Sequence, residues 1–138
     1  MTNELTKVEL FGENRDGDQM SYTCASGTAI PLGTLLQLTD PRTASAASGL
    51  MQPCAGVAAA QKSGTDFSTK ISVYTNGIFE ALASGAIPIG SPVQIASNTE
   101  HPNSVMKAAA ATASGAALIG IALEAADDAE TINIKLRL

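Results

Sequence analysis

Ala25-Ser26-Gly27-Thr28-Ala29-Ile30-Pro31-Leu32-Gly33 returns further along the chain as Ala83-Ser84-Gly85-Ala86-Ile87-Pro88-Ile89-Gly90. The match continues at the same offset, with Gln37-Leu38 against Gln94-Ile95. After each copy comes an apolar run centred on a glycine, Cys54-Ala55-Gly56-Val57-Ala58 and then Leu118-Ile119-Gly120-Ile121-Ala122. After each run comes an alternating stretch, Lys70-Ile71-Ser72-Val73-Tyr74 and then Thr131-Ile132-Asn133-Ile134-Lys135-Leu136. Proline sets φ, and the glycine two residues on takes φ > 0 at little cost, so Gly33 and Gly90 read as turn residues. Gly56 and Gly120 are read as turn glycines too. A repeated set of short strands with no chemistry attached to it points to a structural module.

The strands follow from period-2 alternation. Met20, Tyr22 and Cys24 alternate with polar residues, Leu35–Leu38 and Val93–Ile95 follow the two turns, and Ile132, Ile134 and Leu136 share one face of the last strand. Pro92 removes a backbone donor, which places its strand at a sheet edge. Asn76-Gly77, between the copies, matches the type I′ hairpin signal and predicts pairing of Ile71–Tyr74 with Ile78–Leu82. Thr39–Ser48 and Ser97–Ser114 are rich in Ala, Ser and Thr and read as loops, with a short helix over Met106–Ala113. No long helical periodicity occurs, so the expected fold is all-β: a compact antiparallel β-barrel or β-sandwich with an internal pseudo-repeat.

At 138 residues the chain has the size of one domain. The expected organisation is an N-terminal arm and loop over 1–19 and a single β domain over 20–138, with pseudo-repeats at about 25–82 and 83–138. The arm is expected to be flexible, with Val8, Leu10 and Phe11 as its candidate interface residues, ordering on a partner. The apolar fraction of 45% is largely alanine, aromatics are 4% and tryptophan is absent, so the core must be built from small and β-branched side chains. Charged residues are only 15%, which is low for a fully solvated surface and leaves room for an interface.

Several function classes are disfavoured. The net charge of −5 and the absence of a basic stripe argue against nucleic acid as a partner. Ala108–Ala126 is nearly uncharged, but its Ala, Ser, Thr and Gly provide too little transfer energy for a membrane span. No apolar signal core lies in Thr2–Gly12, so synthesis in a cytoplasm is the expectation. The one histidine, His101, sits in a polar loop, and no catalytic, phosphate-binding or dinucleotide motif occurs. Asp127-Asp128 reads as a solvated turn, and Asp16-Gly17-Asp18 lacks the other ligands of a calcium loop. Cys24 and Cys54 have neither metal spacing nor a CxxC pattern and read as buried thiols, with a bridge between them left open. Lys70, Lys135 and Arg137 are expected on outer strand faces, and Phe67 and Phe79 in the core. No catalytic residue, cofactor or metal is expected.

In the order and spacing of these elements the chain resembles the small head decoration, or capsid cement, proteins of tailed bacteriophages. The resemblance runs from Gly17-Asp18 through the strand to Cys24, Ile30–Gly33, Ala55–Ala58, Asn76–Glu80 and Ile87–Gly90 to Ile119–Ala122 and Ile132–Leu136. It implies a non-catalytic β protein that binds the outer surface of the assembled capsid, with the major capsid protein and itself, as a homotrimer, for partners. The alternatives are a tail- or fibre-associated β-domain and a carbohydrate-binding β-sandwich, the latter weakened by the lack of aromatic platforms.

Overall fold

The computed structural model describes residues 4–11, 19–48, 53–65, 67–96, 102–108 and 118–137. Eleven strands are formed among them: β1 (Thr6–Glu9), β2 (Gln19–Thr23), β3 (Leu35–Asp40), β4 (Thr43–Ala46), β5 (Cys54–Ala58), β6 (Lys70–Tyr74), β7 (Asn76–Ala83), β8 (Pro92–Ile95), β9 (Ser104–Lys107), β10 (Leu118–Ala122) and β11 (Thr131–Arg137). The architecture is all-β. β2, β4, β3, β5 and β6 close into a five-stranded barrel, and β7, β11, β10, β8 and β9 form a second sheet that closes through a β7–β9 pairing. Closure leaves few unpaired strand edges in a protein built from very short strands.

The two barrels have the same topology, strand for strand. β2 pairs antiparallel with β6 and parallel with β4, and β7 does the same with β11 and β9. β3 lies between β4 and β5, as β8 lies between β9 and β10. The repeated turns are also equivalent: the Thr34 amide donates to the Pro31 carbonyl at 3.2 Å and the Ser91 amide to the Pro88 carbonyl at 3.3 Å. Ile30 bridges to Lys62 where Ile87 bridges to Ala126. By strand order the copies join at Thr75, because each matched turn follows the first strand of its copy rather than opening it.

That join corrects the expected hairpin. β6 and β7 are separated by Thr75 alone and do not pair; β6 lies between β2 and β5, and β7 has β11 on one side and β1 and β9 on the other. Asn76 and Gly77 are the first residues of β7, so the chain passes from one barrel to the next instead of reversing. Three further expectations change. Thr39–Ser48 contains the end of β3 and all of β4, since small residues fit a narrow barrel wall. Met106 and Lys107 belong to β9, with 109–113 outside the described residues. Pro92 opens β8, which has neighbours on both sides; the first strand position tolerates its missing donor.

Gly56 and Gly120 occupy the same position, the centre of β5 and of β10, and neither is in a turn. Beside each the register slips by one residue, past Ala55 and past Ile119. The strand on the other side lies so close that a Cβ at Gly120 would strike the Lys135 carbonyl, and one at Gly56 the Tyr74 carbonyl. Gly56 also has φ 139°, a backbone region that side chains avoid. The slip lets Ala55 and Ala58, three positions apart, both face the first barrel's interior.

That interior is small. Tyr22, Cys24, Ile30, Leu36, Ala44, Ala55, Ala58, Ile71 and Val73 fill it, which accounts for the alanine-rich composition: a five-stranded barrel has little room inside. The second cluster is larger and continuous across both barrels. It joins Leu35, Cys54, Val57 and Tyr74 of the first to Phe79, Val93, Ile95, Ile119, Ile132, Ile134 and Leu136 of the second. β5 is therefore buried along its whole length, one face lining its own barrel and the other covered by its neighbour.

Gly120→Ala is expected to destabilise the protein by about 3 kcal/mol, since a strand must move to admit the methyl group. Gly90→Ala, with φ 79° but open space around it, should cost about 1 kcal/mol. Urea midpoints compare the two, and because the barrels share a core the transition should be single.

Candidate docking surfaces

Asn103 is the polar element that fastens the barrels together. It precedes β9, is fully buried, and adopts φ 56°, a conformation asparagine tolerates better than most residues. Its Oδ1 accepts the Leu35 amide at 2.7 Å and its Nδ2 donates to the Gly33 carbonyl at 3.2 Å. The same carbonyl accepts the Leu5 amide at 2.9 Å. One side chain of the second barrel and the start of the chain thus converge on one turn of the first. Beside them the Tyr74 and Phe79 rings lie 5.7 Å apart.

The arm belongs to this seam. β1 pairs antiparallel with β7 of the same chain, Thr6 opposite Glu80 and Lys7 opposite Phe79. Thr6–Glu9 lies along the first half of β7, an edge that β9 does not reach. Of the arm's candidate interface residues, Val8 is exposed, Leu10 packs against the shared core, and Phe11 is half-buried with the Lys135 ammonium 5.9 Å from its ring centroid. Between arm and barrels lies a cavity of about 190 Å³ lined by Leu5, Leu32, Val57, Tyr74 and Phe79.

The predicted turn residues divide. Gly33 and Gly90 sit in turns, while Gly56, Asn76, Gly77 and Gly120 sit in strands. Phe79 is buried at 1% exposure, but Phe67 is 76% exposed, which corrects its placement in the core: it lies in the segment before β6, against the Gly27 turn. Other exposed apolar side chains are Leu32 and Ile89 at equivalent turn tips, Met20, Leu38 and Leu123. Sequence reasoning missed Asn103 and Met20; Asn103 stands where the first copy has Arg42, and only the strand register aligns the two.

Ionisable groups near the turns act structurally. Lys62 is buried and its Nζ donates to the Ala25 and Thr28 carbonyls, each at 3.0 Å, tying the first copy's turn together. Asp128 Oδ1 accepts the Gly85 amide at 2.7 Å, and Glu130 Oε1 the Asp127 amide at 2.7 Å. The acidic stretch thus caps backbone donors. Among the described residues no group of three metal-ligating side chains occurs, and no helix is long and apolar enough to cross a membrane. His101, Asp16 and Asp18 lie outside the described residues. Cys24 and Cys54 are free, buried thiols in different clusters. Burial pushes the Cys54 thiol up to about 12, against a smaller lowering by a backbone hydrogen bond at Gly56.

Residues 14–138, which include both barrels, match the family described as phage cement protein. The chain belongs to that family. Its cement fold is also found in a solved structure, the head fiber gp8.5 N base of bacteriophage phi29, with a TM-score of 0.55 and 14% identity over 86% of this chain and 94% of that one. At that identity the likeness speaks for the fold alone. No curated protein is similar enough in sequence to count as a relative. Membership makes the chain a phage structural protein, and the geometry fits: the buried Asn103 and Lys62 side chains fasten backbone to backbone.

Asn103→Ala is expected to cost about 1–3 kcal/mol, because the buried Leu35 amide loses its acceptor. Arg42→Ala, at the equivalent exposed position, should cost about 1 kcal/mol or less; thermal melts of both test the difference. Cys54 has a separate signature. Below its ordinary value of 9.0 both states hold the proton; between 9.0 and about 12 only the unfolded state releases it. Stability should therefore fall with rising pH there, by about 1.4 kcal/mol per unit from this group, and Cys54→Ala should remove that component from pH-dependent urea titrations.

Proposed function

We propose that the protein binds the outer surface of the assembled phage capsid as a homotrimer, with the major capsid protein as its partner, and stabilises the shell without catalysing any reaction. It is made in the host cytoplasm and ends in the virion. The observation that carries this reading is the family match over both barrels. The exposed Phe67 and Leu32 provide apolar side chains for a docking face. A ligand of the assembled shell that does not bind dissociated subunits stabilises the shell by linkage, and a trimer multiplies weak contacts through effective concentration. The carbohydrate alternative is disfavoured because Tyr22 and Tyr74 are both buried. A second reading takes the chain as the base of a fibre, in line with the head-fibre base that shares its fold.

Purified protein mixed with expanded, undecorated capsids should co-sediment saturably and raise their melting temperature. Binding without a change in capsid stability would favour the fibre-base reading, and no binding to correctly expanded capsids would reject the cement reading. Phe67→Ala should leave the protein's own melting within about 0.5 kcal/mol of wild type and weaken capsid occupancy about tenfold, as expected for an exposed aromatic anchor.

A further inference from the structure

Inside one chain, the outer face of the first barrel covers the mouth of the second: Leu35, Val57 and Tyr74 are packed with Phe79, and Asn103 hydrogen-bonds beside them. The duplication supplies a second copy of each half of that contact. Leu35 pairs with Val57 and Val57 with Tyr74, as Pro92 pairs with Ile121 and Ile121 with Lys135, so Pro92, Ile121 and Lys135 form the counterpart of the covered face. Met20 lies opposite Val73 as Phe79 lies opposite Ile134, so Met20 marks the counterpart of the covered mouth. Arg42 and Asn103, both at positive φ just before β4 and β9, are equivalent too.

Both counterparts are uncovered. On the first barrel's mouth Met20 is 42% exposed, where Phe79 is 1%; Leu38 is exposed where its counterpart Ile95 is buried, and Arg42 is exposed where Asn103 is buried. On the second barrel's outer face Pro92 is exposed and Ile121 half-buried, with Ile89 at 70% and Leu123 at 38% beside them. Gly33 lies under the Leu5 backbone, whereas nothing approaches Gly90 within 4 Å of where a Cβ would stand.

We propose that the second barrel's outer face in one copy of this chain covers the first barrel's mouth in another, a head-to-tail contact that repeats the one inside each chain. The inference rests on the self-association put forward above and specifies its interface. The polar groups fit that pairing. Within the chain, Asn103 must both accept, from the Leu35 amide, and donate, to the Gly33 carbonyl. Between chains, the counterpart of Leu35 is Pro92, which has no amide hydrogen. The counterpart of Asn103 is Arg42, which has donors and no acceptor. Its Nε is engaged by the Ser21 carbonyl at 3.0 Å, and its terminal amino groups supply the donor for the Gly90 carbonyl. The two substitutions match: the half of the interaction that arginine cannot make is the half that proline does not require. Because the patches differ, the contact is heterologous, and a ring forms when successive rotations close.

The test uses the full chain in sedimentation velocity with two double variants at exposed positions, one on the face (Ile89→Asp with Leu123→Asp) and one on the mouth (Met20→Glu with Arg42→Glu). Wild type should be oligomeric, and each variant alone should associate at least tenfold more weakly, with thermal melts confirming that both remain folded. Mixed in equal amounts, the variants should form a one-to-one heterodimer and nothing larger, since the pair retains one intact face and one intact mouth. Variants that assemble like wild type would overturn this interface and leave self-association standing. A mixture that stays monomeric would overturn the head-to-tail arrangement. A wild type that is monomeric at every concentration would overturn self-association and this interface with it.

Discussion

Leu35, Val57 and Tyr74 lie on the outside of a barrel and are buried nonetheless, because the second barrel of the same chain sits on them. Much else in the fold depends on that burial. The first barrel's interior holds mainly small and β-branched side chains and provides limited apolar area by itself. The shared cluster is larger and contains Phe79 and most of the buried isoleucines. The chain thus gains a substantial core by stacking two narrow barrels rather than by building one wide one.

The seam is specified as well as hydrophobic. Asn103 satisfies the Leu35 amide and the Gly33 carbonyl together, and Leu5 adds a backbone bond to the same carbonyl. Buried backbone groups in this region would otherwise lack partners, at a cost comparable to the hydrogen bonds themselves. The arm is thereby part of the seam: β1 extends the second sheet along the part of β7 that β9 leaves open. A structural protein of a virion benefits from such an arrangement, since rigidity at the join keeps both barrels' outer surfaces in a fixed relation.

Duplication followed by divergence explains the differences between the barrels. Lys62 ties the first copy's turn with two hydrogen bonds to carbonyls, where the second copy has Ala126. Arg42 stands exposed where Asn103 is buried, and Met20 where Phe79 is buried. Each pair shares a backbone position and differs in what lies across from it. Shared positions reflect the barrel; differing side chains reflect the neighbour.

The local periodicity alone located most strands. Met20–Thr23, Cys54–Ala58, Lys70–Tyr74, Leu118–Ala122 and Thr131–Leu136 all fall on observed strands, because alternation and apolar runs are properties of a single segment. The all-β class and the repeat were legible for the same reason, as were the Pro-x-Gly turns. Long-range facts were not. Whether Asn76-Gly77 reverses the chain depends on which strands occupy the edges of β6 and β7, and whether Gly56 sits in a turn or under a neighbouring carbonyl depends on how its strand is registered against the strands on either side. Phe67 and Phe79 are the same residue type, yet one is exposed and the other buried, because only the packing of one barrel against the other covers Phe79. The sequence by itself determined the repeating local elements and the family they form; the tertiary structure decided which edges pair, where the copies join and which faces remain open, since those depend on contacts between residues far apart in the chain.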